Sequence, residues 1–131
     1  MLFTLDLSEA ILGIRITIDH FIIILEDRVV RMGYRQTPGS EIPRPCEMKA
    51  LYHTVKNPRA LCCVSGDVMA LPGATAGQVQ ILGLNDNTKI IIPAHTSSLR
   101  QIALSKDGEL IATASEQVST TIYSVLTLYS S

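Results

Sequence analysis

The stretch that decides the fold is residues 92–115, IPAHTSSLRQIALSKDGELIATAS. Apolar side chains recur through LRQIAL in the pattern of a partly buried strand. The pair Asp107-Gly108 follows, and such a pair tolerates the positive φ of a tight hairpin. The segment LIATAS then runs back, with small residues where neighbouring strands come close. The stretch therefore predicts a surface segment containing His95, followed by a β-hairpin.

The strand–turn–strand pattern recurs upstream. LCCVSGDVMALPG aligns with IALSKDGELIATAS, so Ser65 and Ser105 are equivalent and lie 40 residues apart. Residues 11–32 form a third copy, a β-meander in which FIIIL (residues 21–25) has the continuous apolar character of a strand buried on both faces. Four-stranded propeller blades repeat every 40–45 residues or so, and closed propellers have about 4–8 of them. The sequence predicts an all-β chain, a partial β-propeller of two to three WD-like blades.

The predicted blade-like units are residues 11–34, 50–92 and 93–131. Residues 35–49 hold three prolines and one glycine, a composition that predicts an exposed loop in which a blade strand is lost or degraded. Residues 50–55 are predicted as a short edge strand. A chain with so few blades leaves blade faces and strand edges uncovered, which predicts an oligomeric or aggregation-prone molecule.

Two predictions concern polar side chains on strands. Alternation in GQVQIL, residues 77–82, places Val79 and Ile81 inward and Gln80 outward. The arginines of the first meander and the following loop are predicted to lie on a solvated surface rather than to form a basic binding edge. Those arginines are Arg28, Arg31, Arg35 and Arg44.

Composition excludes several function classes. The net charge of the 131 residues is −1, which argues against nucleic-acid binding because neutralising phosphates needs a basic excess. Three cysteines, two of them adjacent, do not make a disulfide framework and favour an intracellular, reduced protein. The longest apolar run is too short to cross a bilayer, and no signal-peptide pattern begins the chain. No transmembrane segment is predicted.

No residue pattern indicates an enzyme, a cofactor or a metal. The cysteines and histidines lack metal-site spacing. Cys62 and Cys63 are predicted to lie in the core, since no general base is near them in the sequence. The glycine-rich residues 73–77 lack the Gly-Lys-Ser/Thr of a phosphate-binding loop and are predicted as a blade turn.

One ordered set of segments resembles a known family. ILGIRITIDHFIIILEDRVV, NPRALCCVS, ALPGATAGQVQIL and IPAHTSSLRQIALSKDGELIATASE together resemble the PROPPIN family over residues 11–116. PROPPINs are WD-repeat-like propellers of autophagy that bind phosphatidylinositol 3-phosphate and phosphatidylinositol 3,5-bisphosphate. The resemblance implies a seven-bladed family fold, of which this chain corresponds to the third and fourth blades and the opening of the fifth.

The resemblance also implies a lipid site. Family members use a histidine in the Ala-His segment and hydroxyls in the Thr-Ala-Ser strand, which correspond here to His95, Thr113 and Ser115. In the family these groups converge with a downstream arginine pair, whose forked donors suit phosphate. This chain departs there, since no arginine or lysine follows Lys106. The departure implies weakened or lost lipid binding.

Each candidate residue has a structural alternative. At the place of His95, ordinary WD repeats keep a histidine that forms a hydrogen bond within the blade. Because the arginines are absent here, this structural alternative is favoured over lipid binding. Thr113 and Ser115 more often satisfy backbone groups between strands. Two hypotheses therefore remain open: a phosphoinositide-binding module, and a protein-interaction scaffold that uses blade edges and the proline-rich residues 37–45.

The resemblance implies the partners and the location. The partners would be phosphoinositide membranes, and autophagy proteins bound through blade edges. The protein would be cytoplasmic and peripherally associated with the phagophore assembly site or with endosomal or vacuolar membranes.

Overall fold

The computed structural model describes residues 7–17, 20–35, 44–117 and 120–124. The secondary structure of these residues consists of eleven strands in three antiparallel sheets. The strands are β1 (Gly13–Ile16), β2 (His20–Ile24), β3 (Arg28–Arg35), β4 (Arg44–His53), β5 (Cys63–Ser65), β6 (Val68–Pro72), β7 (Gln78–Gly83), β8 (Lys89–Pro93), β9 (Leu99–Leu104), β10 (Leu110–Ser115) and β11 (Thr120–Ser124). The predicted all-β class is confirmed.

The chain divides into two compact units, residues 1–60 and 61–131. The first unit holds the first sheet, an antiparallel meander in the order β1-β2-β3-β4. β2 is one of its two inner strands, and all five residues of FIIIL (residues 21–25) are buried, as their continuous apolar character predicts. Phe21, Ile23 and Leu25 form a cluster with the partly buried Val30 and Met32 of β3.

The fourth strand of the first sheet differs from the sequence prediction. Residues 35–49 were expected in a loop and the next unit at residue 50, whereas β4 spans Arg44–His53 and pairs along β3. Proline is tolerated at Pro45 because an edge strand need not donate every N–H to a neighbour. Two register shifts in the β3–β4 ladder accommodate the irregular segment. Residues 36–43, the rest of the predicted loop, lie outside the described residues.

The second unit contains the second sheet, in the order β5-β6-β7-β8, and the third sheet, in the order β11-β10-β9. The two sheets share one core. Its buried members are Ala70, Val79, Ile81, Ile92, Leu99, Ile102 and Ile111. Polar links join the two sheets at the edge strands β5 and β9: Ser65 Oγ lies 2.8 Å from Ser105 O and 2.7 Å from Lys106 O. The backbone N–H of Leu104 donates to Cys63 Sγ at 3.3 Å.

The hairpin predicted from the central stretch forms as β9 and β10. Its turn holds Asp107 and Gly108, and the backbone N–H of Gly108 donates to Ser105 O at 2.9 Å. Cys62 is buried and Cys63 is half-buried, as predicted for core cysteines.

Two polar side chains are placed differently from the prediction. Gln80 was expected to point outward, but it is buried and its Nε2 donates to Pro72 O at 2.8 Å. The hydrogen bond to a strand carbonyl offsets the cost of burying part of the amide. Arg31 was expected on a solvated surface and is also buried. Strands covered on both faces bury polar side chains as well as apolar ones, which alternation alone does not reveal.

Within the part of the chain that the structure describes, no helix is long and apolar enough to cross a membrane.

Candidate functional site

The segment between β8 and β9 carries His95, and the β6–β7 turn fixes its position. The backbone N–H of His95 donates to Gly77 O at 3.1 Å. Gly77 has φ +85°, and a Cβ at this position would collide with the carbonyl oxygen of His95. Only glycine allows both the left-handed backbone and this close approach. The glycine-rich turn therefore positions the histidine segment, consistent with its prediction as a blade turn.

The His95 side chain is paired with a hydroxyl on the neighbouring hairpin. His95 Nε2 lies 2.9 Å from Thr113 Oγ1, and the imidazole tautomer decides which of the two donates. Thr113 lies in the middle of β10 with only 1% of its surface exposed. The pair satisfies a buried hydroxyl and fixes the plane of the ring. This is the arrangement that the structural alternative for His95 anticipated.

A cleft of about 350 Å³ opens beside this pair. Its described lining residues are Pro93, Ala94, His95, Thr96, Ser115 and Gln117. Two of the three sequence candidates, His95 and Ser115, line the cleft together, and Ser115 is only 5% exposed. Thr113 does not line it and reaches the site through His95. The three candidates thus meet at one place but in two different roles.

Sequence reasoning missed two residues of the cleft, Thr96 and Gln117. Both are exposed and both adjoin or nearly adjoin a candidate in the sequence, Thr96 after His95 and Gln117 two residues after Ser115. Their closeness along the chain was the available signal. The backbone N–H of Glu116 donates to Ser98 O at 3.0 Å, which ties the end of β10 to the segment before β9 and so brings Gln117 to the cleft.

The donor set of the cleft is polar but weakly charged. None of its six described lining residues is a lysine, an arginine or a carboxylate, and His95 is the titratable one. Hydroxyl, amide and imidazole groups can donate hydrogen bonds to an anion such as a phosphate ester. Neutral donors bind such an anion less strongly than guanidinium groups do.

A second cleft of about 510 Å³ lies in the first unit and has a different character. Glu26, Asp27 and Glu9 line it, together with Arg28, which forms an ion pair with Glu9. Among the described residues, no group of three His, Cys, Asp or Glu side chains could hold a metal ion.

The chain contains four-stranded antiparallel meanders at a 40-residue repeat. A histidine before one blade is paired to a hydroxyl inside that blade. These features define a partial β-propeller of WD-repeat type. Solved propellers share this fold. Hsv2 of Kluyveromyces marxianus superposes with a TM-score of 0.72 at 12% identity, covering 93% of this chain and 37% of that one. The Cps50 (Swd1) propeller superposes with a TM-score of 0.67 at 14% identity, covering 92% of this chain and 39% of that one. At such identities the likeness shows the fold alone.

Sequence relatives identify the family. The chain is 40% identical to SVP1-like protein 2 of Neurospora crassa over 109 residues, 83% of this chain and 24% of that protein. It is 32% identical to WD repeat domain phosphoinositide-interacting protein 2 of Gallus gallus over 120 residues, 84% of this chain and 25% of that protein. No protein-family model matches the chain. The chain belongs to the PROPPIN family and spans about a quarter of the length of these relatives.

Proposed function

We propose that this chain contributes to phosphoinositide recognition, with the cleft at His95 and Ser115 receiving a headgroup phosphate weakly. The observation that carries the proposal is that both residues line one polar cleft beside the His95–Thr113 pair. The printed name of the Gallus gallus relative, a phosphoinositide-interacting protein, supports the ligand class. Phosphatidylinositol 3-phosphate and phosphatidylinositol 3,5-bisphosphate are the proposed lipids.

The proposed roles follow from which side chains line the cleft and which of them contact one another. His95 and Ser115 donate hydrogen bonds to the phosphate, and Gln117 and Thr96 approach it from the exposed rim of the cleft. Thr113 holds the imidazole in place and does not touch the lipid. With no lysine or arginine among the described lining residues, the proposed affinity is low, because charge-assisted hydrogen bonds to phosphate are about twice as strong as neutral ones.

Liposome flotation tests the proposal. Vesicles of phosphatidylcholine carry either phosphatidylinositol 3-phosphate, phosphatidylinositol 3,5-bisphosphate or unphosphorylated phosphatidylinositol. We expect a small, phosphate-dependent fraction of the chain to float, and His95→Ala to abolish it. His53→Ala is the matched control, because His53 is exposed on β4 and does not line the cleft. Equal flotation with the phosphorylated and unphosphorylated lipids would contradict the proposal.

His95→Ala also removes the contact to Thr113, so a second pair of variants separates binding from folding. Gln117 is exposed at the rim of the cleft, and changing its charge leaves that contact intact. We expect Gln117→Arg to increase phosphate-dependent flotation severalfold and Gln117→Glu to remove it, because one charge is added beside a dianionic ligand. Identical flotation of the two variants would overturn the assignment of the cleft.

The alternative function is a protein-interaction scaffold without lipid binding. The absence of lysine and arginine from the described lining residues favours it. Its proposed contacts are blade edges and residues 37–45, most of which lie outside the described residues. Folded protein that does not float with any of the three vesicles, and a pull-down whose partners depend on residues 37–45, would favour the scaffold.

The proposed setting follows from the family. The chain would act in the cytoplasm, peripherally associated with the phagophore assembly site or with endosomal or vacuolar membranes, and autophagy proteins would be its partners. The Arabidopsis thaliana relative named autophagy-related protein 18e, 29% identical over 115 residues, supports the connection to autophagy.

A further inference from the structure

The turn between β9 and β10 contains a reactive pair of residues. Asp107 is followed by Gly108, and no other aspartate or asparagine of the chain is followed by glycine. Because glycine has no Cβ to shield its backbone nitrogen, this nitrogen can approach the carboxyl carbon of the preceding side chain. Asp107 is exposed to solvent, so water has access to it. Of the aspartates in the chain, Asp107 is therefore the one whose neighbour least hinders isomerisation.

The reaction loses a water and then gains one. The Gly108 nitrogen bonds to Asp107 Cγ, and the hydroxyl of the protonated carboxyl group leaves as water with the proton of that nitrogen. This step closes a cyclic imide. Water then opens the imide at either carbonyl carbon. Opening at Cγ restores aspartate, whereas opening at the main-chain carbon leaves the backbone running through Cβ and Cγ, as isoaspartate. The reaction needs no reactant other than water.

The folded turn holds both reacting groups in other hydrogen bonds. The Gly108 N–H donates to Ser105 O at 2.9 Å, so this bond must break before the nitrogen attacks. Asp107 Oδ1 accepts hydrogen bonds from Ser105 Oγ at 2.6 Å and from the Glu109 N–H at 2.9 Å. Attack requires the carboxyl group to leave these donors and rotate toward the Gly108 nitrogen. Gly108 is itself buried, which limits the movement of its backbone.

The same hydrogen bonds keep the carboxyl group in its less reactive form. The Ser105 hydroxyl, followed by the Glu109 N–H, lowers the pKa of Asp107, and an ionised carboxylate has no hydroxyl to lose as water. Ser105 Oγ also accepts the Leu110 N–H at 2.9 Å, which fixes the hydroxyl in place. Ser105 is therefore the side chain that most directly restrains Asp107.

We propose that Asp107 is a site of spontaneous isomerisation to isoaspartate, blocked in the folded turn and accessible when the turn unfolds, and that the Ser105 hydroxyl is the side-chain group that blocks it. Isoaspartate adds one atom to the backbone of a tight turn, so the modified hairpin cannot keep its original hydrogen bonds. The extent of isomerisation therefore reports how long a chain has been unfolded. This inference is independent of the proposed lipid binding.

Incubation of the full 131-residue chain at neutral pH, in native buffer and in guanidinium chloride, tests the proposal. Isoaspartate is measured by methylation with an isoaspartyl methyltransferase and labelled S-adenosylmethionine. It is located with Asp-N protease, which cuts before aspartate but not before isoaspartate. We expect isoaspartate at Asp107 to accumulate severalfold faster in guanidinium chloride than in native buffer. Equal rates in the two solutions would overturn the proposal.

Ser105→Ala tests the role of the hydroxyl. In native buffer we expect isomerisation of Asp107 to be severalfold faster in this variant than in wild type, whereas in guanidinium chloride the two rates should agree. Thr88→Ala is the matched control, because it removes a hydroxyl that donates to a different turn aspartate, Asp86, at 2.9 Å. Its rate at Asp107 should equal that of wild type. An unchanged rate in Ser105→Ala, or an equal increase in both variants, would contradict the role of Ser105.

Gly108→Ala tests the attacking atom and needs no folded protein. The added methyl group hinders approach of the backbone nitrogen to Asp107 Cγ. In guanidinium chloride we expect isoaspartate at Asp107 to form severalfold more slowly in this variant than in wild type. An unchanged rate would show that the nitrogen of residue 108 is not the attacking group and would overturn the assignment of the site.

Discussion

At the scale of single residues, the site depends on Gly77 as much as on the polar groups. Gly77 contributes no side chain to the cleft, but its carbonyl accepts the His95 N–H and its missing Cβ makes room for the His95 carbonyl. The imidazole can then reach Thr113 on β10. The position of the histidine is therefore set by backbone contacts and only completed by its side-chain hydrogen bond.

The first prediction compares two glycines with positive φ. Gly66 has φ +58° and no atom within 4 Å of an added Cβ, whereas Gly77→Ala must also displace the His95 backbone. We expect Gly66→Ala to lower the free energy of unfolding by about 1 kcal/mol, the usual cost of a left-handed alanine. Gly77→Ala should cost about 2 kcal/mol or more beyond that. Urea denaturation measures both, and equal losses would contradict the proposed role of Gly77.

At the scale of elements, the β9–β10 turn is held by a small network of side-chain hydrogen bonds. Ser105 Oγ donates to Asp107 Oδ1 at 2.6 Å and accepts the Leu110 N–H at 2.9 Å. The Glu109 N–H donates to the same carboxylate oxygen at 2.9 Å. The Ser105 hydroxyl, followed by the Glu109 N–H, lowers the pKa of Asp107 below its ordinary value. The ionised carboxylate thus favours the folded turn.

The second prediction is the pH dependence of this turn. Because the pKa of Asp107 is lower in the folded state, its stabilising contribution is present above the unfolded pKa of about 3.9 and is lost as the pH falls through the folded value. We expect Asp107→Asn to unfold at lower urea concentration than wild type at pH 7. The difference should shrink as the pH falls below about 4.

Asp67→Asn is the matched control for that measurement, since Asp67 is also an exposed turn aspartate, on the β5–β6 hairpin. The difference in urea unfolding between variant and wild type should become smaller at acidic pH for Asp107→Asn and not for Asp67→Asn. A difference between wild type and Asp107→Asn that stays constant from neutral to acidic pH would show that the ionised carboxylate does not stabilise the turn.

At the scale of the whole molecule, apolar surface exceeds what the described strands cover. Hydrophobic residues make up 47% of the chain. Large apolar side chains remain exposed on the first sheet at Ile14 and Ile16, and on the third at Leu110 and Ile122. Contiguous patches of this kind on folded proteins mark interaction surfaces or aggregation sites. The sequence prediction of an oligomeric or aggregation-prone molecule rests on the same surplus.

The third prediction links stability to concentration. If folded copies associate and unfolded chains do not, mass action raises the midpoint of thermal unfolding as protein concentration increases. We expect Tm of wild type to rise by several degrees between micromolar and hundred-micromolar protein, and Tm of Ile16→Glu to rise less, because Ile16 is 75% exposed and a carboxylate there disfavours burial against another copy. Differential scanning fluorimetry or calorimetry measures it. A concentration-independent Tm for wild type would show that the exposed apolar side chains do not cause folded copies to associate.

Much of the first and third sheets could be predicted from local patterns. The apolar run of residues 21–25 predicted β2 because continuous hydrophobicity needs burial, and Asp107-Gly108 predicted the turn because few other pairs adopt its backbone. Of the strand Arg44–His53, only the end was predicted, as a short edge strand at residues 50–55, and its first six residues were not. Proline and glycine in the preceding residues indicate a loop, and only the pairing along β3 shows that the edge strand begins at Arg44.

The residues of the candidate site were likewise predicted in part from the sequence and in part decided by the tertiary structure. The sequence by itself determined the repeat, the hairpins, the family resemblance and the choice of His95, Thr113 and Ser115, because these depend on residue type and spacing along the chain. Only the tertiary structure decided that Thr113 is buried behind a hydrogen bond to His95, that Ser115 shares the cleft with it, and that Gln80 and Arg31 point into the interior. Those outcomes depend on which strands pack against one another, and contacts between residues far apart in sequence leave no periodic signal in the chain.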